Sequence, residues 1–359
     1  MSGTSLDGVD GVLARFDNSV QVLAHASAPF VATLRSELQA LNTPGHNELH
    51  RAALAANALV EVYAQVVHEL LRQSQLMAQD VRAIGAHGQT VRHQPGLHDG
   101  IGYTLQLNQP ALLAERCGID VVADFRSRDV AAGGQGAPLV PAFHQRVFAR
   151  PGQHIAVLNL GGIANLSLLG PHHEVLGFDC GPGNLLMDHW CHTHTGHAFD
   201  REGQWAASGH VQEALLAHLL AEPFLQLPPP KSTGRDLFNP VWLHERLASH
   251  PGLRAQDIQA TLTAFTAQTS LQALRQHSPL CDRLIVCGGG ALNQHLMQQL
   301  RAGLNCEVLE SGAAGLPPLQ VEAAAFAWLA HQTVSGQAGN WPAVTGARGP
   351  RVLGAVYPA

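Results

Sequence analysis

The stretch Gly177-Phe178-Asp179-Cys180-Gly181-Pro182-Gly183-Asn184, followed by Leu185-Leu186-Met187-Asp188, indicates the fold. The apolar run at 174–178 predicts a strand, which ends at an acid, a Gly-Pro-Gly turn and an apolar helix start. In open α/β sheets, ligands bind at the carboxyl ends of strands, where loops converge and helix N-termini direct backbone N–H groups. The stretch therefore predicts an α/β fold in which Asp179 is a candidate general base.

A second interpretation of Asp179 stays open at this point. An Asp before Gly-Pro-Gly is a common turn former, with its carboxylate bonded to nearby backbone N–H groups. Similar loops of small hydroxyl or amide residues occur at 1–8, at 159–165, where a Gly-Gly turn joins two strands, and at 287–293. Their recurrence favours a nucleotide site over a simple turn.

The composition is that of a globular protein with room for two domains. The chain has 359 residues, of which 46% are hydrophobic and 13% charged. Acidic residues outnumber basic ones by 27 to 21, and no basic cluster with interleaved aromatics occurs, so we expect no nucleic-acid partner. Six scattered cysteines and the lack of a signal peptide or long apolar span predict a cytoplasmic protein without a membrane partner.

The first third alternates strands and helices. The pattern predicts strands at 10–16, 20–28, 81–86, 104–108 and 119–123, and helices at 33–41, at about 46–75 and from Pro110. His87-Gly88-Gln89-Thr90 is a polar loop after a strand. The charged run at 124–129 and the small residues at 130–137 predict a loop and a domain junction. For Asp124 and Arg128, a solvated or mutually paired surface cluster is favoured over a sugar site.

The second half adds further candidates. A helix at about 184–195 carries several histidines, but the chain has 22 of them and no complete zinc motif, so we expect no structural metal. Residues 228–236, with Lys231, form either a substrate loop or an ordinary exposed connection. Gly288, Gly289 and Gly290 follow a strand at 282–287 and leave room for an adenosine. Glu322 is the only acid of a predicted helix at about 319–333.

Several motifs in one order give the chain a family resemblance. They are Met1-Ser2-Gly3-Thr4-Ser5-Leu6-Asp7-Gly8-Val9-Asp10, His87-Gly88-Gln89-Thr90, the run 124–138, Phe178-Asp179-Cys180-Gly181-Pro182-Gly183-Asn184 and Cys287-Gly288-Gly289-Gly290-Ala291-Leu292-Asn293. Together they resemble the anhydro-N-acetylmuramic acid kinase family essentially end to end. The resemblance implies a two-domain acetate and sugar kinase/Hsp70/actin-like α/β fold with ATP in the interdomain cleft, a homodimer and a role in bacterial cell-wall recycling.

The resemblance also implies domain limits. The N-terminal actin-like ATPase domain would be 1–131 plus about 335–359, and the C-terminal one 132–334. Relatives have a first strand ahead of the residue that is Met1 here. We therefore expect either residues upstream of Met1 in the native protein or a weakened N-terminal domain.

Site residues carry over by motif. Asp179 and Glu322 match catalytic positions, and Asp7 is the expected Mg²⁺ carboxylate. ATP contacts are expected at Ser2, Gly3, Thr4, Asp7, Asn159, Gly161, Gly162, Asn165, Gly288, Gly289 and Gly290. Contacts to an amino-sugar substrate are expected at His87, Gln89, Thr90, Asp124 and Arg128.

The implied reaction combines hydrolysis with phosphorylation. ATP and water would convert 1,6-anhydro-N-acetylmuramic acid to N-acetylmuramic acid 6-phosphate, with Asp179 deprotonating the water. Two alternatives remain at this stage. One is an ordinary sugar kinase in which Asp179 deprotonates a substrate hydroxyl, and the other is an ATP-gated binding protein of Hsp70 or actin type.

Overall fold

The chain is rich in both helices and strands. The computed structural model describes residues 1–3, 5–17 and 19–359. The strands are β1 (Gly8–Phe16), β2 (Val20–Pro29), β3 (Ile84–Ala86), β4 (Gln89–Pro95), β5 (Gly102–Leu107), β6 (Val121–Ala123), β7 (Ile155–Leu160), β8 (Ile163–Leu169), β9 (Val175–Pro182), β10 (Arg283–Cys287), β11 (Glu307–Glu310) and β12 (Ala355–Tyr357). The helices are α1 (Ala32–Ala40), α2 (Glu48–Ser74), α3 (Pro110–Cys117), α4 (Ser127–Ala131), α5 (Val140–Phe148), α6 (Leu185–Thr195), α7 (Gln204–Ala207), α8 (Glu213–Leu220), α9 (Pro240–Leu247), α10 (Ala255–His277), α11 (Gln294–Ala302), α12 (Val321–Val334) and α13 (Pro342–Thr345).

The chain divides into two compact units, which fits the predicted two-domain α/β class. The first unit comprises Met1–Val147 and Leu319–Ala359, and the second comprises Phe148–Pro318. These limits differ from the domain limits predicted at 131/132 and about 334/335. The second limit lies at 318/319 because α12 packs against β1 and β3 of the first unit. A Cβ on Gly85 of β3 would lie 2.3 Å from the carbonyl oxygen of Phe326, so this helix and strand touch through their backbones.

Among its described residues, the first unit contains three small sheets. β1 and β2 form an antiparallel hairpin with a bulge after Leu13, and β4 pairs with β5 in a second hairpin. In the third sheet β6 is central, parallel to β3 and antiparallel to β12. The long helix α2 covers the first hairpin and buries Leu59, Val60 and Tyr63 on one face. Its apolar face therefore belongs to the core.

The second unit is built on a five-stranded sheet in the order β11-β10-β7-β8-β9. The strands β7, β8 and β9 form an antiparallel meander, and β10 and β11 extend it in parallel. Every residue of β7 is buried, which explains why all of them except Asn159 are apolar. The sheet packs on α10, whose residues are buried around most of its circumference instead of on one face.

Two segments of the first unit that carry predicted substrate contacts differ from the sequence-based prediction. Gln89 and Thr90 begin β4 and are not in a loop. Part of the run at 124–137 forms α4, and the whole run lies inside the first unit and not at a junction. Among the described residues, no helix combines the length and the apolarity needed to cross a bilayer.

Candidate active site

The second unit places three of the predicted site residues side by side. Asn159 of β7 is the register partner of Asn165 on β8, and Asn165 is in turn the partner of Asp179 on β9. Directly opposed residues of neighbouring strands project from the same face of a sheet. The three polar side chains therefore form one row across the meander, at positions separated by as many as 20 residues along the chain.

The sequence predicted that the strand ends at Asp179, but β9 continues to Pro182. A bulge at Cys180 of β9, opposite Ala164 and Asn165 of β8, lets the ladder continue past Asp179. The Asp179 carboxylate accepts a hydrogen bond from the backbone N–H of Thr233 at 2.8 Å, a residue 54 positions away. This bond comes from a distant segment of the chain and not from the Gly-Pro-Gly turn.

The Gly161-Gly162 tip of the hairpin is tied to the start of α6. The carbonyl of Gly162 accepts from the N–H groups of Gly183 (2.9 Å) and Leu185 (3.1 Å), and that of Gly161 from Asn184 (2.8 Å). Backbone donors at the start of α6, which the sequence suggested for a ligand, are thus bonded within the protein. Their bonds instead fix the position of the tip relative to Asp179.

The three glycines after β10 are not equivalent. A Cβ on Gly288, whose φ is +80°, would lie 2.6 Å from the Asn159 Oδ1, and one on Gly290 would lie 2.6 Å from the Leu160 Cβ. Close packing against the end of β7 therefore explains these two glycines. Gly289 differs, because the nearest atom to its Cβ would be the Asn184 Nδ2 at 3.6 Å. Gly289 is therefore the one of the three glycines at which an added Cβ would make only an ordinary van der Waals contact.

In the first unit, the predicted residues Ser2, Gly3 and His87 meet. Ser2 is buried and its hydroxyl donates to the Gly88 carbonyl at 3.0 Å. The Nδ1 of His87 lies 3.2 Å from the Ser2 carbonyl, and its Nε2 accepts from Arg126 at 2.9 Å. Burial and then the Arg126 guanidinium lower the pKa of His87 well below its ordinary value. His87 is therefore neutral, with its proton assigned to Nδ1, and it supports the backbone of Ser2.

Arg126 is a residue that sequence reasoning missed. Besides His87, it donates from Nη1 to the Gly136 carbonyl at 2.8 Å. The N–H of Gly136 in turn donates to the buried carboxylate of Asp129 at 2.8 Å. The side chains of Asn340 (2.7 Å) and Thr345 (2.8 Å) also donate to that carboxylate. One network thus links the glycine-rich loop after α4 to the segment that contains Ser2.

Gln89 and Thr90 lie beside this network. The Gln89 Nε2 donates to the Gly3 carbonyl at 3.1 Å, whereas its buried Oε1 has no hydrogen-bond partner among the described residues. A buried acceptor without a donor is costly, so this oxygen is suited to a ligand hydroxyl. The Thr90 hydroxyl accepts from Gln106 at 3.2 Å. Thr4, which was predicted to contact ATP, lies outside the described residues.

Glu322 lies close to the same segment. It occupies the first turn of α12, where a carboxylate is favoured by the helix dipole. Burial lowers the pKa of the Met1 amino group to about 6, an effect that Asp10 and Glu322 partly oppose. One turn later, Phe326 lies 4.4 Å from the His87 ring. Residues four apart share a helix face, so α12 directs Glu322 toward the side on which Ser2 and His87 lie.

Asp7 is exposed and accepts from the Ser5 hydroxyl at 2.8 Å. Burial and then the charge of Asp7 raise the pKa of Asp10, which sequence reasoning had not singled out. Two such neighbouring carboxylates suit a divalent cation, and Mg²⁺ commonly takes only one or two protein carboxylates beside substrate phosphates. Among the described residues, however, no group of three or more His, Cys, Asp or Glu side chains is placed so that it could hold a metal ion.

Asp124 and Arg128 are both exposed. Asp124 directly follows β6 in a left-handed conformation with φ of 58°, which is strained for a residue with a side chain. Its carboxylate accepts from Ser127 at 2.5 Å. No ion pair joins Asp124 to Arg128 in the described part of the chain, so the mutually paired cluster is not observed.

Comparison with known proteins gives the family. The family model described as anhydro-N-acetylmuramic acid kinase matches residues 1–359. A protein of that name from Variovorax paradoxus is 64% identical over all of this chain and 98% of the relative. Another from Albidiferax ferrireducens is 58% identical, again over all of this chain and 98% of the relative. This chain belongs to the anhydro-N-acetylmuramic acid kinase family. It is therefore an enzyme, a kinase of the transferase class.

Solved structures show more distant likenesses. An activator of 2-hydroxyisocaproyl-CoA dehydratase from Clostridium difficile, with bound ADPNP, is 11% identical and covers 89% of this chain and 88% of its own, with a TM-score of 0.45. A ROK family glucokinase from Streptomyces griseus, in complex with glucose and AMPPNP, is 14% identical and covers 90% and 99%, with a TM-score of 0.39.

Proposed function

We propose that this kinase uses ATP and water to convert 1,6-anhydro-N-acetylmuramic acid to N-acetylmuramic acid 6-phosphate and ADP. The observation that carries the proposal is the placement of Asp179. Its carboxylate is half-buried, lies in a row with two amide side chains, and is held by the Thr233 N–H. A carboxylate fixed on a strand with access to solvent is suited to act as a general base on water.

In the proposed reaction Asp179 takes a proton from water as the water oxygen bonds to C1 of the sugar. The bond from C1 to the bridging O6 breaks, as in an inverting glycoside hydrolysis in which the base lies opposite the departing oxygen. O6 accepts the γ-phosphoryl group of ATP, and ADP leaves. The alternative of an ordinary sugar kinase lacks the water, because there the base would act on a substrate hydroxyl.

The other predicted site residues of the first unit would contact the substrate. The unpartnered Oε1 of Gln89 is suited to a sugar hydroxyl, and Glu322 is suited to the anomeric region. Asp124 and Arg128 are accessible for the acidic and amide groups of the sugar. His87 and Thr90, although bonded within the unit, remain proposed substrate contacts.

We propose ATP contacts in both units, which would act as its two ATPase-type domains. In the first, these are Ser2, Gly3 and Asp7, and Asp7 with Asp10 would hold Mg²⁺. In the second they are the row residues Asn159 and Asn165, the tip glycines Gly161 and Gly162, and the segment 288–290. When bound, Mg²⁺ would neutralise charge on the phosphates. We also propose a cytoplasmic homodimer in cell-wall recycling.

The test is ADP release with Mg²⁺-ATP and 1,6-anhydro-N-acetylmuramic acid in ¹⁸O-labelled water. The native enzyme should release ADP only with the sugar and should incorporate the label at C1. Asp179→Asn can still accept the Thr233 N–H but cannot take a proton, so its turnover should fall about 10²- to 10⁴-fold. Asp17→Asn changes an exposed aspartate and is the control. Sugar-dependent ADP without label would replace the proposal with an ordinary sugar kinase.

A further inference from the structure

Residues 231–233 pair with an outer strand of the second unit's sheet. β9 is at the end of the strand order. The Asp179 N–H donates to the Lys231 carbonyl at 3.1 Å, and the Thr233 N–H donates to the Asp179 carboxylate at 2.8 Å. The same three-residue segment thus hydrogen-bonds both the backbone and the side chain of Asp179. An ordinary exposed connection, which was one interpretation of 228–236, would not make such contacts.

Lys231 is the only lysine of the sequence, and it is buried, with 9% of its surface exposed. Its Nζ donates to the carbonyls of Leu225 at 2.9 Å and Phe224 at 3.3 Å. The ammonium also lies 4.9 Å from the centre of the Phe224 ring and 6.0 Å from that of Phe178. A buried charge needs partners of this kind, because its loss of hydration is costly.

Burial lowers the pKa of Lys231, and the charges of Cys180 and Asp179 partly oppose that shift. The ammonium therefore lies close enough to Asp179 for the two side chains to interact electrostatically.

The carbonyls that hold Lys231 are themselves fixed. They belong to a short 3₁₀ turn, Pro223–Gln226, which follows the buried Glu222. The Glu222 carboxylate accepts from the Trp242 Nε1 and the Arg246 Nη2, both at 2.9 Å. The anchor of Lys231 is thus tied to α9, so the lysine joins segment 231–233 to that helix.

We propose that Lys231 is a positioning residue, which locks segment 231–233 so that the Thr233 N–H holds the Asp179 carboxylate in its catalytic orientation. The inference rests on the proposed function, in which Asp179 is the base. An ammonium suits this task because it can donate to two carbonyls at once while its stem packs on aromatic rings. A displaced base costs rate rather than substrate affinity, and a shift of about 1 Å can cost about 10²-fold.

The first arm of the test compares Lys231→Met with the native enzyme in the same sugar-dependent ADP assay. Methionine keeps the apolar stem and removes the ammonium. We expect kcat to fall about 10- to 100-fold while the KM values for sugar and ATP change less than about threefold. Arg283→Met removes a cation from an ion pair with Glu307 at the start of β10, and it should keep kcat. A kcat for Lys231→Met within twofold of the native value overturns the proposal.

The second arm does not depend on turnover or on the folding of Lys231→Met. Because the chain has one lysine, an N-hydroxysuccinimide ester labels Lys231 as its sole lysine side chain, and mass spectrometry of its peptide gives the rate. Asp179→Ala removes the acceptor of the Thr233 N–H and should speed labelling severalfold, whereas Asp17→Ala should not. Equal rates in the three proteins overturn the coupling. If native enzyme lacks sugar-dependent turnover, the proposed function fails while this arm still reports on the coupling.

Discussion

The backbone N–H of Thr233 donates to the Oδ2 of Asp179 at 2.8 Å and joins residues 54 positions apart. The bond uses a main-chain donor, so it survives any side-chain substitution at position 233 except proline. Since the Asp179 N–H also donates to the Lys231 carbonyl, the aspartate is restrained from two directions. Orientation of this kind is what a general base needs in order to meet a water molecule at a fixed angle.

Thr233→Pro should lower kcat. Proline removes the N–H donor, and the Asp179 carboxylate then loses one fixed partner, so we expect a fall of about 10- to 100-fold in kcat with smaller changes in KM. Thr233→Ala keeps the donor and is the matched control. Steady-state ADP release as a function of sugar and ATP measures both. Equal losses in the two variants would assign the effect to the threonine side chain instead.

Gly288→Ala and Gly289→Ala should separate packing from ligand binding. At Gly288 a Cβ would lie 2.6 Å from the Asn159 Oδ1 at φ of +80°, so Gly288→Ala should lose about 1–3 kcal/mol of stability. Gly289→Ala meets its first neighbour at 3.6 Å and should stay within about 0.5 kcal/mol of native. If the adenosine of ATP packs against Gly289, the KM of the Gly289→Ala protein for ATP should rise. Urea unfolding and ATP kinetics measure the pair, and an unchanged KM would remove Gly289 from the ATP site.

The sequence located Asp179 but not what holds it. A Gly-Pro-Gly motif after an apolar run is visible locally, so the candidate base and the α/β class follow from patterns. The bond from Thr233 depends on where a segment 54 residues further along the chain lies relative to the sheet. The pattern of apolar residues does not specify that position. The extension of β9 past Asp179 was also missed, because a bulge, which cannot be inferred from the residues of β9 alone, carries the ladder over Cys180.

Arg126 shows a second limit. The run at 124–129 contains two arginines, and the family resemblance implied only Arg128 as a substrate contact. α4, which follows Arg126, leaves Arg128 exposed, whereas Arg126 turns inward to His87 and Gly136. The glycines after β10 show the opposite kind of error. The sequence indicated that all three leave room for a ligand, whereas Gly288 and Gly290 pack closely against the end of β7.

Gly134→Ala should destabilise the first unit. A Cβ at Gly134 would lie 2.2 Å from the Asp129 Oδ2, and the buried Asp129 cannot move without breaking its bonds to Asn340 and Thr345. We expect a loss of about 1–3 kcal/mol in urea unfolding. Gly45→Ala is the control, since the nearest neighbour of its Cβ would be the end of the Arg51 side chain at 3.2 Å and not a buried carboxylate. A Gly134→Ala protein as stable as native would show that the loop after α4 is not held by Asp129.

His93 should make stability depend on pH. Burial, and then the Arg126 guanidinium, lower the pKa of His93 from 6.5 to about 4. Between these values the unfolded chain binds a proton at this site and the native protein does not. Linkage then requires stability to fall as the pH falls from about 6.5 to about 4. Above about 6.5 both states are neutral here, and the contribution to stability is fully present.

His93→Gln should therefore flatten the pH dependence. At pH 5 its free energy of unfolding should change by about 1.4 kcal/mol less per pH unit than that of the native protein, because one fewer proton is taken up on unfolding. Urea unfolding at pH 5, 6, 7 and 8 measures the slope. His50→Gln changes an exposed histidine and should keep the native slope. Identical slopes in native protein and His93→Gln would mean that His93 is protonated alike in the folded and unfolded states, which its burial beside Arg126 opposes.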